Sequence, residues 1–337
     1  GVHRFYQAGR WAKSYAMNAC SSVRWEMVFT GSVLWSDLFA DRTATVNCWN
    51  GLTAGGALQF EDGDTFNFPG ARFTIDNGSV VQNGGTLSGY ELQLQYSTYN
   101  ARYTFNGGSL QLANALYLGN GLQSILGESR FQQTGGLVET PRVELGWSGT
   151  GYLAVNTYEM TGGVLRMTGP YSDDTGVHLS WNLASGPQVS GAFRMQSGRL
   201  ETDQIAFGRS ADTSTYAVTD AFSLFKMTGG EVVMGSRGFY AGTSWNNGST
   251  NAGYAVKLQG GTLTAGDSWS SSLDLFLSDG NGGTVFKTED TNGVAKRVVL
   301  NGALYGPGKL TKRGSGELVL AGLPHTRAKR PSKRGRW

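Results

Sequence analysis

The chain has little of what metal-dependent, membrane-spanning or helical proteins carry. It holds three histidines, His3, His178 and His325, and two cysteines, Cys20 and Cys48. Two thiols so placed do not resemble a metal-binding pattern. They either pair and staple the N-terminal segment or remain two partly buried thiols. No apolar run approaches the roughly 18 residues that a membrane-spanning helix requires. No stretch sustains an apolar stripe at i, i+3 and i+4, which excludes helical repeats. Prolines number seven against 51 glycines, so the chain is neither collagen nor a proline-rich linker. There is no Gly-x-Ser-x-Gly elbow and no phosphate-binding loop. The chain opens on Gly1 without a positive-then-apolar leader, and we read it as a fragment of a longer protein.

What is present is repetition. The phrase apolar-x-apolar-x-Gly-Gly-x-apolar-x-apolar stands as Tyr103-Thr104-Phe105-Asn106-Gly107-Gly108-Ser109-Leu110-Gln111-Leu112. It returns as Phe225-Lys226-Met227-Thr228-Gly229-Gly230-Glu231-Val232-Val233-Met234. Looser copies place the second glycine at Gly85, Gly136, Gly163, Gly198 and Gly261, with an eighth, N-terminal copy at Gly56. A period of this length signals a stacked array. Each copy carries a second strand phrase: Leu92-Gln93-Leu94, Leu116-Tyr117-Leu118, Val143-Glu144-Leu145, Val177-His178-Leu179, Ile205-Ala206-Phe207 and Leu275-Phe276-Leu277. Alternation puts the first and third residues of each on one face and the middle residue on the other.

The glycine pair marks a corner, where the backbone needs positive φ or close approach. The small polar residues just before it (Asn83, Asn106, Thr134, Thr161, Ser197, Thr228 and Gln259) are placed to hydrogen-bond from one repeat to the next, as polar ladders do. A β-propeller needs about four strands in 40 or so residues, more than these intervals hold. The fold class expected is therefore all-β, a parallel β-helix (solenoid) with coils of about 22–35 residues. Leu110, Val143, Leu145, Leu165, Val177, Leu179, Leu200, Ile205, Phe207, Val232 and Leu263 should point inward. Residues 51–322 form the array. Residues 1–50, with Trp11, Trp25, Trp35 and Trp49, are off-pattern and suit an N-terminal cap.

Near the C-terminus the chain reads Gly306-Pro307-Gly308-Lys309-Leu310-Thr311-Lys312-Arg313-Gly314-Ser315-Gly316-Glu317-Leu318-Val319-Leu320-Ala321-Gly322. This resembles the autotransporter-associated β-strand repeat, Gly-x-Gly-x-Leu-x-Lys-x-Gly-x-Gly-x-Leu-x-Leu-x-Gly. The resemblance implies a right-handed parallel β-helix in an exported bacterial protein, located outside the cell or on its outer surface. It implies no enzymatic activity, and the reading we adopt is a structural or adhesin-like passenger with no cofactor. The chain then departs from the family, because residues 323–337 hold six basic residues and no acidic one. The whole chain carries +3. This tail reads as a disordered basic segment. Read two bases later, one permitted codon choice restores a Thr-rich continuation, which marks a frameshift product. A basic arm for nucleic acid is the weaker reading.

Candidate chemistry is sparse. The tight acidic groups, Glu61-Asp62-Gly63-Asp64 and Asp173-Asp174, adjoin turn text and read as solvated turns. Neither the first of these nor Asp279-Gly280-Asn281-Gly282-Gly283 has the spacing of a calcium loop. His178, at the middle of its phrase, reads as an ordinary exposed histidine. Aromatic residues give the positive signal. Trp147 and Trp181 follow strand phrases at equivalent positions, with Trp245 two residues late and Tyr96 one residue beyond the corresponding point. A column of such rings can stack on sugars or simply shield a corner. Expected partners are surface glycans, or another copy through the coil ends. The rival reading is a carbohydrate-active β-helix, a polysaccharide lyase or hydrolase, which would need clustered acids and bases in one groove.

Overall fold

The structure, a computed structural model, describes residues 2–6, 16–18, 24–34, 43–47, 52–94, 100–119, 127–146, 154–169, 175–179, 189–207, 223–241 and 254–322. Among these there is no helix. The strands form one sheet of 23 and one of three, and strand pairs with strand in parallel throughout. Among the described residues the one antiparallel contact is an isolated bridge between Glu289 and Ala295. Parallel neighbours need a connection of a dozen or more residues, and here the rest of a repeat supplies it.

Three strand columns recur among the described repeats. The first, ahead of the glycine corner, aligns Val80, Tyr103, Phe131, Tyr158, Phe193, Phe225, Val256, Leu275 and Leu304 in one register. The longest step, from Tyr158 to Phe193, is 35 residues, and the shortest, from Val256 to Leu275, is 19. The second column follows the corner and aligns Leu87, Leu110, Val138, Leu165, Leu200, Val232 and Leu263. The third carries the second phrase and aligns Leu92, Leu116, Val143, Val177, Ile205 and Phe239. Buried residues of all three belong to one continuous cluster, so the columns face a shared core. All eleven residues expected to point inward are buried there.

Stacking in register puts like on like. Tyr103, Phe131, Tyr158, Phe193 and Phe225 form an unbroken ring column with centroid separations of 5.0, 4.9, 4.8 and 5.8 Å. Two of these rings bring a hydroxyl into the core. Tyr103 Oη donates to Gln82 Oε1 at 2.6 Å, and Tyr158 Oη to Gln133 Oε1 at 2.6 Å. Each glutamine passes the chain of bonds on, Gln82 Nε2 to Ser109 O at 3.1 Å and Gln133 Nε2 to Val164 O at 3.0 Å. These glutamines occupy the register position that Phe105 and Met160 fill in neighbouring repeats. A buried polar side chain is tolerated there because the next tyrosine requires it.

The N-terminal segment also contributes strands. Val2–Tyr6 pairs with Arg24–Leu34, and that strand pairs with Leu52–Phe60. Parallel pairing therefore does not begin at residue 51. Cys20, Cys48 and the 323–337 tail lie outside the described residues.

Two expectations are corrected by register. Gly56 pairs with Gly78, inside the strand Leu52–Phe60 and beside an irregularity. The place before Gly85 is held by Asp64, whose carbonyl accepts from Thr86 N at 2.8 Å. The strand runs on past its glycines, and the corner is made later by residues 61–64. Likewise, the strand Leu275–Leu277 pairs with Tyr254–Leu258 in the first column, not the third. The repeat before it is the 19-residue one, so its third-column place falls to Trp269–Ser271, which starts a separate small sheet with Arg297–Leu300 and Glu317–Leu320.

Candidate functional site

The seven glycines of the sequence pattern form one edge of the molecule. All have positive φ, from 64° at Gly136 to 88° at Gly198. A Cβ on Gly108 would lie 2.3 Å from Gly85 O, one on Gly198 2.8 Å from Gly163 O, and one on Gly261 2.8 Å from Gly230 O. Each glycine thus sits directly against the one before it, and no side chain fits between them. The polar residues alongside form the expected ladder over part of its length. Asn83 Nδ2 donates to Glu61 Oε1 at 2.8 Å, Asn106 Nδ2 to Asn83 Oδ1 at 2.9 Å, and Thr134 Oγ1 to Asn106 Oδ1 at 2.7 Å. Beyond Thr134 the bonds go to backbone instead, as from Thr228 Oγ1 to Met195 O at 3.3 Å. Shorter Thr and Ser side chains no longer reach one another. This edge is a scaffold feature and offers no reactive group.

Chemistry-bearing residues gather on the outward side of the third column. Thr74, Gln93, Tyr117, Glu144, His178 and Ala206 align in consecutive strands. All six are buried. His178 is therefore not the exposed histidine that alternation implies: it is fully buried, with Nε2 3.2 Å from Thr175 O and 3.5 Å from Gln204 Nε2. Alternation separates inner from outer side chains, but it does not say whether the outer side meets water.

Arg142 organises the centre of this column. It donates from Nη2 to Tyr117 Oη at 2.6 Å, its Nε lies 3.1 Å from Glu144 Oε1, and its guanidinium carbon sits 5.4 Å from the Tyr117 ring centre. Burial pushes the Tyr117 phenol well above its ordinary value, and the Glu144 carboxylate pushes the same way. One repeat earlier Glu91 accepts from Arg72 Nε and Asn114 Nδ2, each at 2.6 Å. Beyond His178, Gln204 Nε2 donates to Thr175 O at 2.6 Å, and Arg237 Nη1 to Gln204 Oε1 at 3.4 Å. The arrangement places a phenol, a carboxylate and an imidazole on adjacent strands. Each is closed off by protein, and Glu144 is neutralised by Arg142.

Sequence reasoning missed this cluster because Tyr117, Glu144 and His178 stand about one repeat apart in the chain. The middle positions of the six phrases, compared side by side, were the available signal. In the two oxygen-rich segments, Asp64 Oδ2 accepts from Glu61 N at 2.6 Å within its own turn, and Asn281 Nδ2 donates to Thr228 O at 2.9 Å in an earlier repeat. Among the described residues no group of three or more His, Cys, Asp or Glu is placed to hold a metal ion. Tyr96, Trp147, Trp181, Trp245 and the Asp173-Asp174 pair lie outside the described residues. No family model, no curated protein and no solved structure matches this chain.

Proposed function

We propose that the chain is a right-handed parallel β-helix from an exported bacterial protein, resembling the autotransporter-associated repeat proteins, with a structural or adhesive and non-enzymatic role at the cell surface. The observation that carries this reading is the unbroken glycine edge, in which Gly85 to Gly261 lie one against the next although their spacing in sequence changes from repeat to repeat. A scaffold that absorbs uneven insertions at a constant strand register suits display of surface connections. Surface glycans are the partner class in this reading, held by Tyr96, Trp147, Trp181 and Trp245, with end-to-end association as a second mode.

Antibody labelling of intact producing cells tests the location. The proposal expects labelling without permeabilisation, and labelling only after lysis contradicts it. A carbohydrate-active reading has one observation in its favour, the alignment of Tyr117, Glu144 and His178. Their burial and the Arg142 pairing stand against it. Release of reducing ends or unsaturated uronates from acidic polysaccharides, lost in Glu144→Gln, would reverse the preference.

A further inference from the structure

The outer face of the first column carries an arrangement that strand pairing alone disfavours. Arg194, Lys226 and Lys257 are directly opposite one another in consecutive strands. Like charges in that relation destabilise a sheet, and the strand spacing of about 4.8 Å keeps them close. Among the described residues, no carboxylate lies within ion-pair distance of Arg194 or Lys226. Glu159, beside Arg194 in register, is held by Arg130 instead. This contrasts with the second column, where Arg166 bridges Glu139 and Glu201, and Arg199 bridges Glu201 and Glu231. The same outward file continues past Lys257 into Phe276 and then Tyr305, whose rings are 5.2 Å apart. Arg194 and Tyr305 are both exposed.

We propose that Arg194 and Lys226, with Phe276 and Tyr305 farther along the same file, form a docking strip for a linear acidic polysaccharide lying along the stacking axis. A chain bearing one carboxylate per sugar presents negative charge at intervals close to the strand spacing, so successive carboxylates meet successive cations. The rings at one end offer an apolar face to a sugar. Nucleic acid fits less well, because single strands are bound by cations interleaved with aromatic platforms for successive bases. Here the aromatics follow the cations and do not alternate with them. The proposal extends the glycan part of the reading above, on residues separate from the four aromatic positions named there.

The test is affinity electrophoresis of the full chain through gels containing polygalacturonate, neutral dextran or a single-stranded oligonucleotide. Polygalacturonate should retard the protein at low salt, and retardation should fade as salt rises. The double variant Arg194→Gln/Lys226→Gln should weaken this about tenfold, while Arg166→Gln, an exposed cation in the second column, should not. The double variant should also melt at or above the wild-type temperature, since it relieves repulsion, so weaker binding cannot be laid to misfolding. Tyr305→Ala should reduce binding without changing its salt dependence. Absence of retardation by polygalacturonate, equal retardation of the double variant, or stronger retardation by the oligonucleotide would overturn the strip. Retardation by dextran alone would leave the aromatic glycan reading standing and remove this one.

Discussion

The first and third strand columns share a repeat, a register and a core, yet they differ on their outer sides. In the first, Arg102, Arg130, Glu159 and Arg194 face outward and are exposed or half-buried. In the third, Gln93, Tyr117, Glu144 and His178 face outward and are buried. One strand column therefore separates core from water, and the other has protein on both sides. Polar residues on the first side can be exchanged cheaply, because water replaces whatever they lose. Polar residues on the third-column side cannot, because nothing replaces a lost partner.

The largest effects should come from the core that the columns share. Phe131 is stacked between Tyr103 and Tyr158, and Phe131→Ala should cost about 3–5 kcal/mol. Its neighbour Arg130, half-buried on the outer side, should cost under about 1 kcal/mol as Arg130→Ala. Urea denaturation of both variants checks the contrast. On the third column Glu144→Ala should cost about 3 kcal/mol, since it strands the Arg142 guanidinium in a site from which water is largely excluded. A loss below 1 kcal/mol there would mean that this outer side is wet after all.

A middle rank belongs to the core glutamines. Gln133→Leu removes the acceptor for the Tyr158 hydroxyl and should cost about 1–3 kcal/mol. Adding Tyr158→Phe should recover much of it, which a double-mutant cycle will read. The hydroxyls of Tyr103 and Tyr158 are pushed well above the ordinary phenol value by burial. Their raised folded values mean that stability is intact below about pH 10 and falls as pH rises above it. Ultraviolet titration should therefore show these two phenols ionising only with unfolding.

The smallest effect is expected on the exposed ion pairs of the second column. Burial raises the Glu201 carboxyl, but hydrogen bonds and charge from Arg166 and Arg199 outweigh it and hold the group below its ordinary value. A lowered folded value gives stability that is present above the ordinary carboxylate range and is lost as pH falls through the folded value. Arg166→Ala should cost under about 1 kcal/mol at neutral pH and flatten that acid limb slightly, as seen by thermal melts between neutral and acidic buffer.

Much of this was legible in the chain. The Gly-Gly phrase located the corner and its polar ladder, and alternation gave the inward residues in all eleven named cases. Register was legible only where the glycine pair itself makes the corner. It failed at Gly56, where a strand runs through its glycines, and at Leu275, where a repeat is only 19 residues long. The buried glutamines were invisible because their partners Tyr103 and Tyr158 lie a repeat away. The Tyr117, Glu144, Arg142 and His178 group was hidden for the same reason. Single-phrase reading sees one strand, whereas the chemistry runs across strands.

The central claim is that distance along the molecule counts repeats and not residues. Spin labels at Asn83, Asn106, Thr228 and Gln259, in a background with Cys20 and Cys48 replaced by serine, measure this by pulsed dipolar spectroscopy. Each repeat should add about 4.8 Å. Asn106 to Thr228 spans four steps and should give about 19 Å, and Asn83 to Gln259 spans six and should give about 29 Å. Distances that instead track the number of intervening residues, or a separation of the second pair far from that value, would contradict the stacked register.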